Sequence, residues 1–223
     1  MDEPQRRWRF VAKDNAGNDV TGEIEALIQM MGLDQIAPGR YSSLLMANLF
    51  GGFKAGSINP HMVAHEIQAL EAEKRTGLRL SSEFRHPPLK GLWHKHYMQS
   101  GIASLARNVQ RGLNEYGIPY LKEKVREAEA AGELRFFTAK DAAPIAQDAV
   151  GGNWKRLQDD DDITGEWVIF AIHGGQNYYL SLGTHDKSAH GHLRDLIDAI
   201  CCIEFPWLQT TLSDRARCPT SRS

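Results

Sequence analysis

Nine histidines are the side chains of this sequence best suited to chemistry near neutral pH, where an imidazole changes charge and can give or take a proton. They gather in three places. His61 and His65 stand four residues apart behind Asn59-Pro60, so on a helix both rings face one way and offer half of a metal site, with Glu66 one residue beyond. The glutamate lies outside the pair, so the zinc-protease order H-E-x-x-H is not formed. The second group lies in His86-Pro87-Pro88-Leu89-Lys90-Gly91-Leu92-Trp93-His94-Lys95-His96-Tyr97. On a strand His94 and His96 share one face and Lys95 takes the other. His86, Lys90, His94 and His96 can then supply an acid, a base and an electrostatic clamp for phosphate chemistry. The third group is His185-Asp186 with His190 and His192, preceded by His173; Asp186 can fix the tautomer of an imidazole or cap a helix. Each group also has a structural reading: a helix-surface pair, a proline-braced loop anchored by Trp93, and solvated or capping side chains. Both readings stand at this point.

The elements that must position these residues can be read from pattern. Trp8 to Ala12 and Val20 to Ile24 flank Asp14-Asn15-Ala16-Gly17-Asn18 and predict a hairpin. A glycine-rich passage around Phe50-Gly51-Gly52 then separates it from a helix expected from Pro60 to about Arg75. His86-Pro87-Pro88 predicts an extended loop. Leu105, Ala106, Val109 and Leu113 recur at helical spacing, Pro119 opens another helix with Leu121 and Val125 on one face, and Gly132 closes it. Thr138 and Asp141 have capping-box spacing for a short helix that Pro144 should limit. Trp167 to Ile172 is apolar on both faces, Gly174-Gly175 supplies a turn, and Tyr178 to Leu182 returns as the partner strand. Leu193, Leu196, Ile197, Ile200 and Cys201 mark an amphipathic helix that can cover this hairpin.

These elements predict an α+β protein, helix-rich in its amino-terminal and central parts, with a carboxy-terminal antiparallel hairpin or sheet under an amphipathic helix. One globular domain is expected over 1–208, with a conceivable sub-boundary near 133 and a disordered polar tail over 209–223.

Other chemistry finds little support. The G-x-S-x-G elbow and the glycine-rich phosphate loops are missing, so neither a serine nucleophile nor a cofactor is expected. Cys201 and Cys202 belong to an apolar helix face, and Cys218 to the tail. The run Asp159 to Asp162 lacks the spacing of a calcium loop and reads as a solvated loop.

The 26 basic and 28 acidic residues nearly cancel, so no overall field draws the chain to nucleic acid or an anionic membrane, although a local basic patch remains open. MDEPQRRWRF has no apolar run behind its arginines, and no stretch approaches the roughly 20 apolar residues of a membrane helix. With three cysteines and no disulfide framework, the expectation is a soluble, cytoplasmic protein without a membrane partner.

Residues 133 to 208, through the segment Trp167 to His185, resemble the barnase–EndoU–colicin–RelE group of small endoribonucleases. That resemblance implies metal-independent RNA cleavage by an acid–base pair with cationic stabilisation, and His173, Tyr178, Tyr179 and His185 are the positions compatible with it. The near-neutral charge departs from the basic surface from which an RNA enzyme gains affinity. Three functions follow as expectations. The first is a nuclease or other phosphodiester-handling enzyme using His86, Lys90, His94, His96 and His185. The second is a metal-dependent hydrolase with His61 and His65 among its ligands. The third is a non-catalytic interaction or regulatory protein whose histidines are structural. Nucleic acid and protein partners both remain open.

Overall fold

A computed structural model describes residues 11–99, 101–132 and 138–216. In chain order the elements are α1 Thr21–Met31, α2 Leu33–Ile36, α3 Ser43–Lys54, α4 Pro60–Glu71, β1 Ser82–Glu83, β2 Trp93–Tyr97, α5 Ile102–Tyr116, α6 Pro119–Ala131, α7 Ala139–Gln147, α8 Asn153–Asp159, β3 Glu166–His173, β4 Gln176–Gly183, α9 His190–Leu196, α10 Cys202–Glu204 and α11 Trp207–Ala216. Single π-helical turns join α7 to α8 and α9 to α10. The fold is α+β. Where one domain is expected over 1–208, the described residues group into two compact units, 11–74, 81–99 and 166–216 against 75–80 and 101–165. The sub-boundary near 133 lies outside the described residues.

The first unit is built on an antiparallel sheet in the order β1-β2-β3-β4. The hairpin expected from Glu166 to Leu182 forms, turning at Gly174-Gly175 with φ of 58° and 78°. Glycine accepts that left-handed backbone without steric cost. A bulge between Ile169 and Phe170 leaves Leu180 as the extra residue of β4. The pleat sends Val168, Phe170 and Tyr179 into a cluster with Ile24, Leu45, Val63 and Ile67 of the early helices. The opposite face holds Trp167, Ile169, Ala171 and Leu180 against Ile197, Cys201, Leu208 and Leu212. Cys201 is therefore core, and burial pushes its thiol up to about 12.

Several expectations change in this unit. Thr21–Met31 is a helix where a return strand is expected, because Ile24, Leu27, Ile28 and Met31 form one buried helical stripe. The hairpin's first strand is only partly within the described residues, and a single bridge, Lys13 to Asp19, closes the turn. Gly51 and Gly52 lie inside α3, which Ser42 caps by accepting from the Leu45 amide. A Cβ on Gly52 would meet Ile58 at 2.2 Å, so the glycine admits the chain that folds back after the helix. The tail expected from 209 continues α11 to Ala216 with Leu212 buried; 217–223, with Cys218, lie outside the described residues.

The second unit combines a few buried apolar side chains, Leu78, Leu157 and Ile163, with directional polar contacts. α5 forms as the helical spacing predicts; Ser104, Asn108 and Gly112 are buried, Val109 and Leu113 half-buried, and Leu105 and Ala106 exposed. Asn108 brackets Thr164, donating to its carbonyl at 2.8 Å and accepting from its amide at 2.9 Å. A Cβ on Gly112 would lie 2.8 Å from that of Asn153, so glycine lets α5 and α8 approach closely. The acidic run is solvent-exposed at Asp159 and Asp160, whereas Asp161 and Asp162 form a clamp. Asp161 pairs with Arg75 and accepts from the Gly77 amide at 3.1 Å. Asp162 pairs with Arg79 and Arg111. The capping box of Thr138 and Asp141 is present, but Pro144 lies within α7 without ending it.

Candidate active site

β2 divides its side chains between the two faces of the sheet, as strand geometry requires. Lys95 meets Glu66 of α4, Nζ to Oε2 at 3.5 Å, and both side chains are almost wholly buried. Burial draws the Lys95 pKa below its ordinary value, and Glu66 offsets only part of that. Lys95 is therefore an internal ion pair and not a companion of His94 and His96.

Those two histidines take the opposite face, where His96 is the direct cross-strand partner of Trp167. The His94 ring lies 4.9 Å from the Trp167 ring and 5.6 Å from that of His96. His185, in the turn after β4, stacks on His96 with centroids 5.4 Å apart and planes 22° apart, and lies 4.5 Å from Trp167. His190 packs on Trp167 at 5.5 Å, and Phe84 closes the group at 4.4 Å from His94 and 5.1 Å from Trp167. The second and third histidine groups thus meet around one indole. His96 is 3% exposed, His94 is half-buried and His185 is exposed, so the set runs from core to solvent.

The turn carrying His185 is braced locally. Asp186 accepts from the amide and hydroxyl of Ser188 at 2.9 and 2.7 Å. These bonds hold its carboxyl below the usual range and spend the residue as a cap. The amide of Asp186 donates to Thr184 Oγ1 at 3.3 Å, and His190 Nε2 lies 3.0 Å from the Thr184 carbonyl oxygen. Ser82 Oγ lies 3.3 Å from His94 Nε2.

The remaining candidates fall elsewhere. His86 is exposed and Lys90 half-buried in the loop before β2, which Arg194 of α9 holds by donating to the Pro88 carbonyl at 2.8 Å. Among the described residues neither has a hydrogen bond or ring contact with Trp167. His173 stacks on Trp207 at 4.2 Å, Tyr178 packs edge-on against the same ring, and Tyr179 donates to Glu71 at 2.7 Å within the core. His61 and His65 are exposed on α4, and His65 Nδ1 stands 3.2 Å from Glu66 Oε1. No group of three or more His, Cys, Asp or Glu placed to hold a metal ion occurs among the described residues.

Sequence reasoning treats Trp167 as core only and gives Phe84 no role. Their part in the cluster depends on register, which pairs His96 with Trp167 across strands some seventy residues apart in the chain. No helix among the described residues is long and apolar enough to cross a membrane. No known protein family, curated protein or solved structure is detectably similar to the chain, so the chemistry of the cluster rests on its own geometry.

Proposed function

We propose that the chain is a nuclease, or more broadly a phosphodiester-handling enzyme, that uses histidine acid–base chemistry. The observation that carries this reading is the convergence of His94, His96 and His185 on Trp167, with His96 and His185 stacked. In-line transfer at a phosphodiester needs one group to take the proton of the attacking oxygen and another to return a proton to the leaving oxygen. His185 is exposed and His94 half-buried with its Nε2 beside Ser82; these two are assigned the two roles, and the buried His96 ring contacts both. Local charge agrees: residues 84–97 contain Arg85, Lys90 and Lys95 but no Asp or Glu, and Lys95 is neutralised by Glu66 on the other face. Arg85 and Lys90 therefore bias this loop toward an anionic ligand although the whole chain is nearly neutral.

The test is cleavage of RNA, single-stranded DNA and duplex DNA, with chelator and with added divalent metal. His94→Ala and His185→Ala should each lower the rate by about 10² to 10⁴-fold, with thermal melts close to wild type; Lys90→Ala should weaken binding of the anionic substrate. Retained rates in both histidine variants would move the site elsewhere, and activity only with added metal would favour the metal-dependent hydrolase. If wild type cleaves nothing, an interaction protein becomes the better reading. The observation favouring that alternative is α6, in which no residue is buried and Leu121 and Val125 are 36% and 46% exposed.

A further inference from the structure

The geometry points to His190 as a positioning residue that holds the His185 imidazole in the cluster, an inference that rests on the proposed acid–base role of His185. His185 is exposed and lies in a turn, where an unbraced side chain samples several rotamers and loses the benefit of fixed orientation. The residue before it, Thr184, is fixed from two sides. Its hydroxyl oxygen accepts from the Asp186 amide at 3.3 Å, and its carbonyl oxygen lies 3.0 Å from His190 Nε2. His190 can make that bond because its own ring is immobilised: it packs on Trp167 at 5.5 Å and edge-on against Phe84 at 6.4 Å. Trp167 is also the ring that His185 contacts at 4.5 Å, so one indole sets the position of both the pin and the residue it holds. The pin requires the tautomer with hydrogen on Nε2, since a carbonyl oxygen only accepts. With Nε2 committed to backbone and its ring packed against Trp167 and Phe84, His190 acts through His185 rather than on the substrate.

Two variants and two readouts test this. His190→Ala removes the donor, whereas His190→Gln keeps an N–H that can reach the Thr184 carbonyl. In a cleavage assay His190→Ala should lower kcat by about 10²-fold, the cost of a misplaced catalytic group, with KM little changed and both limbs of the pH–rate profile retained. His190→Gln should restore most of the loss. If a limb of the profile disappears and Gln does not rescue, His190 itself transfers the proton and the positioning role is wrong. The second readout needs no activity. In wild type the carbon-bound ring protons of His185 should be displaced by the ring currents of Trp167 and His96; the displacement should vanish in His190→Ala and persist in His190→Gln. An unchanged His185 signal in His190→Ala, in protein that melts like wild type, overturns the inference whether or not the chain is an enzyme. Absent cleavage by wild type with the expected NMR pattern would reject the nuclease reading alone and leave the pin in place.

Discussion

The first unit seals both faces of its sheet with apolar side chains: Leu45, Val63, Ile67, Ile169 and Tyr179 have no measurable exposure. The second buries Asn108 and Asn153 as completely as Leu157, turns Leu105 outward and pairs Asp161 and Asp162 with arginines. The difference shows in where the candidate chemistry lies. Apolar burial is non-directional and leaves latitude in side-chain choice, so a sheet already held by Val168, Phe170 and Tyr179 can devote neighbouring positions of β2 to histidines. Where buried amides carry the packing, as at Asn108 and Asn153, that latitude is lost, because each donor and acceptor must find its partner.

The largest expected effect tests the apolar side of this comparison. Phe170 is 1% exposed and lies between Trp93 and Tyr179, with ring centroids at 6.3 and 5.9 Å. Phe170→Ala should destabilise by about 3 to 5 kcal/mol through lost burial and the cavity left behind. Urea unfolding gives the magnitude, and amide hydrogen exchange should show the loss concentrated in 81–99 and 166–216. A midpoint close to wild type would mean that the sheet is not held by its core.

What the sequence reveals follows the same division. The β3–β4 hairpin is legible because eight consecutive residues, Glu166–His173, and a Gly-Gly turn leave few alternatives. The start of α4 is legible because Asn59 accepts from the His61 amide ahead of Pro60. α1 is misread because Val20 to Ile24 is short and β-branched at both ends, and only the recurrence at Leu27, Ile28 and Met31 reveals the helical period. α5 is legible as a helix but its fully buried positions are not, since periodicity counts apolar residues and cannot foresee that Asn108 will be satisfied by Thr164. Of the site, the pairing of His94 with His96 on one face is readable from strand alternation, and their meeting with His185 is not. That meeting depends on the turn after β4, fixed by Asp186, Ser188 and His190 rather than by any periodic pattern.

Asn108→Ala probes the polar side with an intermediate effect. It would leave the Thr164 amide and carbonyl without their buried partner, for an expected loss of about 1 to 3 kcal/mol. Exchange should accelerate within 75–80 and 101–165 while the sheet amides stay protected. A loss as large as that of Phe170→Ala would erase the distinction drawn between the units, and no loss would show that Thr164 finds other partners.

The smallest effect is expected at Asp162, whose 20%-exposed side chain pairs with Arg79 at 44% and Arg111 at 30% exposure. Partly solvated ion pairs of this kind contribute about 0.2 to 1 kcal/mol each, because water screens the attraction and long side chains lose freedom when held. Asp162→Asn keeps the shape and removes the charge, so it isolates the electrostatic part of the clamp. It should destabilise by about 1 kcal/mol in dilute buffer, and the difference from wild type should shrink as salt rises from about 0.1 M to about 1 M, where the screening length falls from about 10 to about 3 Å. Asn108→Ala, a loss of neutral hydrogen bonds, should keep its full effect over the same range. The pair of salt titrations thus separates the two kinds of polar contact in the second unit. If the Asp162→Asn difference does not respond to salt, the arginines act there by packing and hydrogen-bond geometry, and the acidic run holds Arg79 and Arg111 as shaped partners rather than as charges.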